Sequence, residues 1–167
     1  MSVMLLGYIW VLFVGAAVAP ALALMAWRRG AVPGMRPLAA FAMVAAAWCV
    51  AALVYAISGS TPATPLWFRL QYVVGGMLAP TIAACAYQRC TRRTDLPGWL
   101  WVPLVVEVTM NLVVAATDGQ TQLWWARLEP NPEAAALPPL MAERGPWGRW
   151  QILFSMLVSM GSFVALT

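Results

Sequence analysis

Histidine and lysine are both missing from this 167-residue chain, whose ten basic residues are all arginine. Without lysine there is no Walker-type phosphate loop, no retinal or pyridoxal Schiff base and no protein-kinase lysine. Without histidine there is no Ser-His-Asp triad, no HExxH zinc helix, no phospho-accepting histidine and no His-ligated haem or chlorophyll. Charge is scarce as well. Only 10% of residues are Asp, Glu, Lys or Arg, against roughly a quarter in an ordinary soluble domain. That is too little to cover a water-facing surface, and it excludes a soluble globular domain and a disordered chain alike. What is present instead is apolar: 62% hydrophobic residues and a mean hydropathy of +0.75. The chain reads as an integral membrane protein.

A helix needs about 20 apolar residues to cross the hydrocarbon core. Five stretches meet that length, near 3–26, 38–58, 66–88, 99–117 and 150–167. No period-two alternation runs through them, and a barrel would need far more strands. The expected fold is therefore an all-α integral membrane protein: one domain, 1–167, a bundle of five transmembrane helices with a long loop, 118–149, between the fourth and fifth.

Orientation follows the arginines. Arg28, Arg29 and Arg36 lie in the first loop, and Arg89, Arg92 and Arg93 in the third with Asp95. The second loop has Arg69 alone, and the fourth mixes Arg127, Arg144 and Arg149 with four acids. Loops one and three are expected on the cytoplasmic side of a bacterial inner membrane, with the N-terminus and the long loop outside. The first span is read as a retained anchor, because a signal peptide carries its positive charge before the apolar run. The net charge of +4 is explained by topology. It points to membrane lipids as partners, not to nucleic acid.

Glu107 is the most informative residue. A carboxyl group in mid-span is expensive and faces the bundle interior; desolvation there favours the neutral acid. Pro103, Glu107 and Asn111 follow one helix face at i, i+4, i+8, and Asp118 continues the stripe three turns on. Glu107 is either a protonatable or ligand-sensing group or a packing hydrogen bond. Arg69, Gln71 and Tyr72 start the third span at the same end, which places Gln71 level with Asn111. Arg69 is expected to snorkel outward rather than to pair with Glu107, and Pro80 predicts a kink. In the long loop, Trp124, Trp125, Arg127 and Trp147 form either an interfacial aromatic belt or an outer cap that meets a ligand or partner. Glu133 to Leu137 is expected as a short helical turn between prolines. Cys49, Cys85 and Cys90 form no CxxC or metal pattern, so no disulfide, metal or cofactor is expected. Small residues at Gly15, Ala19 and Ala23 and at Ser155 and Ser159 allow close helix approach.

Several of these residues recur in a known arrangement. Trp67-Phe-Arg-Leu-Gln-Tyr72, Gly75-Gly-Met-Leu-Ala-Pro80, Tyr87, Pro103, Thr117-Asp118, Trp124-Trp125 and Gly145-Pro-Trp147 follow one another in an order that resembles the N-terminal seven-helix sensor region of bacterial histidine kinases. The resemblance covers residues 40–167 and implies a membrane input module, with two further spans and a cytoplasmic output domain. The sequence departs from that pattern in lacking an outer-loop histidine, and in offering Trp150 and Phe154 where the family has a tyrosine.

The expected function is thus a non-catalytic transmembrane sensor that passes a signal to a cytoplasmic effector, with sequence continuing past Thr167. The alternative is an accessory subunit bound to other membrane-protein subunits of a respiratory or photosynthetic complex, complete as five helices. A transporter would show internal repeats and paired broken helices, and the spans show no convincing repeat.

Overall fold

The computed structural model of the chain describes residues 3–58, 64–130 and 140–166. Six helices and two short strands follow one another as α1 (Val3–Arg28), α2 (Met35–Ser58), α3 (Thr64–Gly76), α4 (Leu78–Thr91), α5 (Gly98–Thr121), β1 (Trp125–Pro130), β2 (Leu140–Arg144) and α6 (Pro146–Leu166). With α3 and α4 counted as one interrupted span, five segments are long and apolar enough to cross a membrane. Their outward faces fit that setting. Val11, Trp27, Val102, Met160, Phe163 and Val164 are all more than half exposed, which water would not tolerate on such a scale. This is a multi-pass helical membrane protein.

Small side chains decide which helices touch. On α1, Leu12, Ala23 and Ala26 are buried against α2, whose own buried face is mostly alanine at Ala39, Ala42, Ala46, Ala51 and Ala52. A side chain at Gly15 would put its Cβ 2.9 Å from the Cys49 sulfur. Lipid gives no hydrophobic drive to bring helices together, so such close approach and the dispersion contacts it allows are what hold them. The connection at 29–34 is correspondingly tight. Gly34 has φ +86, and a Cβ there would lie 2.6 Å from Arg89 Cγ of α4.

The third span is interrupted, and the interruption falls at Met77, three residues before Pro80. Proline has no N–H for the carbonyl four residues back, so the helix tightens locally. Met77 N donates to Val74 O at 3.0 Å, and Thr81 uses its hydroxyl on Met77 O and Leu78 O at 3.0 and 2.9 Å. The two halves then find different neighbours. α3 packs on α2 and α5, whereas α4 packs on α2 and α6.

The long loop holds the main departure from expectation. β1 and β2 pair antiparallel, from Trp125↔Arg144 to Pro130↔Leu140, with an irregularity between Trp125 and Arg127. Strands were not expected in a chain read as wholly helical. The helical turn expected at 133–137 lies outside the described residues. Helix α6 also starts earlier than the apolar run suggests. Pro146 occupies its first turn, where the missing N–H costs nothing. Gly145 N and Trp147 N donate to Trp124 O and Leu123 O at 2.8 and 2.9 Å and sew the helix start to the hairpin. The molecule therefore has a hairpin end and, opposite it, an arginine end carrying Arg28, Arg29, Arg36, Arg89, Arg92 and Arg93.

Candidate functional site

Three buried polar residues of the spans, Glu107, Asn111 and Gln151, gather where α3, α5 and α6 meet beside the break at Met77. Glu107 and Asn111, one turn apart on α5, are 6% and 0% exposed. Asn111 Nδ2 donates to Glu107 Oε1 at 3.2 Å, and Asn111 Oδ1 accepts the Trp147 indole N–H of α6 at 3.0 Å. Both ends of the Asn111 amide are thus in use, and it ties α6 to the carboxyl group on α5. Gln151, one turn beyond Trp147, is buried beside the same group, and its Nε2 donates to Ser155 Oγ at 3.5 Å. Its Oε1 is buried with no partner.

Gly76 closes the site from α3. A Cβ at that position would stand 2.6 Å from Asn111 Nδ2 and 3.1 Å from Gln151 Nε2, so a larger residue would push the amides away. Among the described residues no cation pairs with Glu107, and the sole ion pair is Arg127–Glu129, 2.8 Å apart on the exposed hairpin. A buried carboxyl group held by neutral amides next to an open acceptor can exchange a proton or a hydrogen-bond partner without dismantling an ion pair.

Gln71, expected level with Asn111 along the bundle, makes no hydrogen bond to it. Asn111 spends its amide on Glu107 and Trp147, and Gly76 rather than Gln71 is the α3 residue against it. Gln71 Oε1 is buried without a partner. Arg69 does not pair with Glu107, and it is not free of the protein either: the residue is half-buried and its Nε is shielded and unpartnered.

Tyr72 belongs to a different cluster, the aromatic plug of the hairpin end. Its ring lies 4.6 Å from that of Trp125, which is 4.8 Å from Phe68, itself 5.1 Å from Tyr55. Trp124 and Trp125 are 3% and 4% exposed. They are core residues, and this corrects the expectation that they face a partner or the lipid interface. Burial follows from Asp118, whose Oδ1 accepts the backbone N–H of Trp124 at 2.7 Å and of Trp125 at 3.0 Å, turning the chain back over the helix ends. Of the long-loop candidates, Arg127 stays on the surface and Trp147 is half-buried.

Gln151 and Gln88 are site residues that the sequence analysis did not single out, and Gly76 entered it only as part of the Gly75–Pro80 motif. An amide inside an otherwise apolar run is a signal of the same kind as Glu107, and for Gln151 and Gln88 it was there to be read. Gln88, near the end of α4, is buried and uses its whole amide: Oε1 accepts Gly34 N at 3.0 Å and Nε2 donates to Thr94 O at 2.5 Å. It joins the α1–α2 connection to the α4–α5 connection. Cys85 Sγ donates to Gly34 O at 3.4 Å and Cys90 Sγ to Ala165 O at 2.9 Å. Together with Cys49 they are free thiols.

Comparison with known families agrees with this architecture. Residues 11–167 match the family described as the N-terminal 7TM region of histidine kinase. No curated protein and no solved structure gives a significant match. The match spans nearly all of the chain, which belongs to this family of histidine-kinase sensor regions.

Proposed function

We propose that this chain is the non-catalytic input region of a bacterial inner-membrane signalling protein, with Glu107, Asn111, Trp147 and Gln151 as its sensing core. The family match supports the sensor role. The observation that carries the assignment of the core is the position of that buried polar cluster against Gly76, one residue from the break in the third span. A change in protonation or hydrogen bonding at Glu107 alters what Gly76 packs on, and the adjoining turn is the one that Pro80 has already weakened. The signal then leaves through α4, which reaches the arginine end. With no histidine in the chain, the phosphoryl chemistry belongs to a cytoplasmic output domain.

The arginines of the first and third loops support an N-outside orientation, with the hairpin end exposed to the exterior. A membrane-impermeant maleimide applied to intact cells tests this. A cysteine replacing the exposed Glu143 should label, and Cys90 should label only after the cells are opened. The reverse pattern would invert the topology.

The sensing core is tested by Glu107→Gln in the full chain with its output domain. Phosphorylation output should shift, and lose its dependence on external pH, while the amount of protein in the membrane stays at the wild-type level. Unchanged output across pH, at unchanged abundance, would reduce the cluster to helix packing.

A further inference from the structure

A cavity of about 700 Å³ opens at the arginine end between α2, α4 and α5, against the face of α5 that carries Leu104, Val105 and Val108 and not the face of Glu107 and Asn111. Its body is apolar and built from Ala40, Pro80, Ala84, Leu104, Val105 and Val108. It is deep. From its rim at Asp95, in the connection before α5, it reaches Thr109 on that helix, and the helical part of that path, from Gly98, rises about 16 Å. That is half of a hydrocarbon core of about 30 Å, the thickness of one leaflet.

The rim carries one charge of each sign. Arg36 stands in the first turn of α2, whose N-terminal dipole adds to its positive field. Asp95 faces the same opening from the α4–α5 connection, next to Thr94. The two do not neutralise each other, since Arg127–Glu129 is the sole ion pair among the described residues. Gln88 also lines the cavity, but its amide is spent on Gly34 and Thr94.

We propose that this groove is a binding site for a zwitterionic glycerophospholipid with a primary ammonium headgroup, of the phosphatidylethanolamine type. An acyl chain fills the apolar body. The headgroup phosphate meets Arg36 and its ammonium meets Asp95. A purely anionic lipid would satisfy Arg36 and be repelled by Asp95, and a further protein helix would leave both charges facing its flank. The site depends on the membrane setting of the chain and not on the sensor role.

A photoreactive benzophenone amino acid placed at Val105, which is 55% exposed and lines the groove, reads the occupant directly. The same residue at Phe163, 69% exposed on α6 and away from the groove, is the control. The full-length protein is irradiated in native membranes, and adducts are identified by intact mass. Phosphatidylethanolamine should be enriched at Val105 over the control by about threefold or more, as one interfacial ion pair would give. Arg36→Gln and Asp95→Asn should each abolish that enrichment and leave the Phe163 adducts, which report insertion and folding, unchanged. Enrichment of an anionic lipid, a peptide adduct, or the same lipid mixture at both positions would each overturn the proposal.

Discussion

The two ends of this bundle are built on opposite principles. At the hairpin end large side chains interlock: Tyr55, Phe68, Tyr72, Trp124 and Trp125 meet in tilted and edge-to-face ring contacts, and Asp118 pins the two tryptophans by their backbone. At the arginine end the helices carry alanines and two buried amide-linked connections, and a cavity remains between them. Aromatic interlocking specifies one arrangement and resists sliding. Small-residue contacts hold helices close and leave room for a lipid or for relative motion. The polar cluster lies between the two regimes, where a local rearrangement has a rigid body on one side and a compliant one on the other.

The contrast is most easily broken at Gly145. A Cβ there would lie 2.4 Å from the carbonyl oxygens of both Gln122 and Leu123, and backbone cannot step aside as a side chain would. Gly145→Ala should destabilise the hairpin end by about 3 kcal/mol, at the upper end for overpacking, read as a lowered Tm in detergent by tryptophan fluorescence. Unaltered melting would mean that the hairpin docks loosely.

Asp118→Ala removes a charged acceptor from two buried N–H groups and should cost about 2 kcal/mol. Asp118→Asn keeps an acceptor oxygen and should recover about half of that loss. Equal effects of the two variants would show that the charge, and not the hydrogen bonding, holds the loop.

At the other end, Gln88→Leu keeps the bulk and removes both amide bonds, for an expected loss of about 1–2 kcal/mol. The more telling measurement is hydrogen exchange. The N–H groups of residues 29–35 and 93–98 should lose protection together, while those of the hairpin keep theirs. Protection lost in only one connection would mean that Gln88 does not couple them.

The smallest effect belongs to the hairpin surface. Arg127→Ala breaks an ion pair whose side chains are 64% and 55% exposed, and stability should change by under about 0.5 kcal/mol. A larger loss would mean that the hairpin face is packed against something other than water.

Much of the fold was legible from apolar run length alone, because a bilayer imposes a length on each helix that no soluble core does. Helix ends were less so. The apolar run of the fifth span starts near Trp150, but Pro146 can begin a helix and the hairpin supplies bonds to its first turn, which draws Trp147 inward to Asn111. The hairpin leaves little trace in the sequence because its alternation is short and is broken between Trp125 and Arg127. In the candidate site, the pairing of Glu107 with Asn111 follows from helix geometry within one element. The meeting of Asn111 with Gly76 and Trp147 depends on the helix break at Met77 and on hairpin docking, both long-range consequences. Counting tryptophans could not separate those that anchor at a lipid interface from those a carboxylate folds into the core.

The Met77 interruption and the Gln88 amide stand on the same helix, about 16 Å apart along its axis. That makes α4 a lever arm with its fulcrum beside the Glu107–Asn111 cluster and its tip bonded to two connections at once. A swing of about 10° at the fulcrum carries the tip about 3 Å, a full hydrogen-bond length. Because one amide grips both connections, neither can follow the tip without the other. A stimulus too small to move any helix bodily would still be delivered to the arginine end as one concerted displacement.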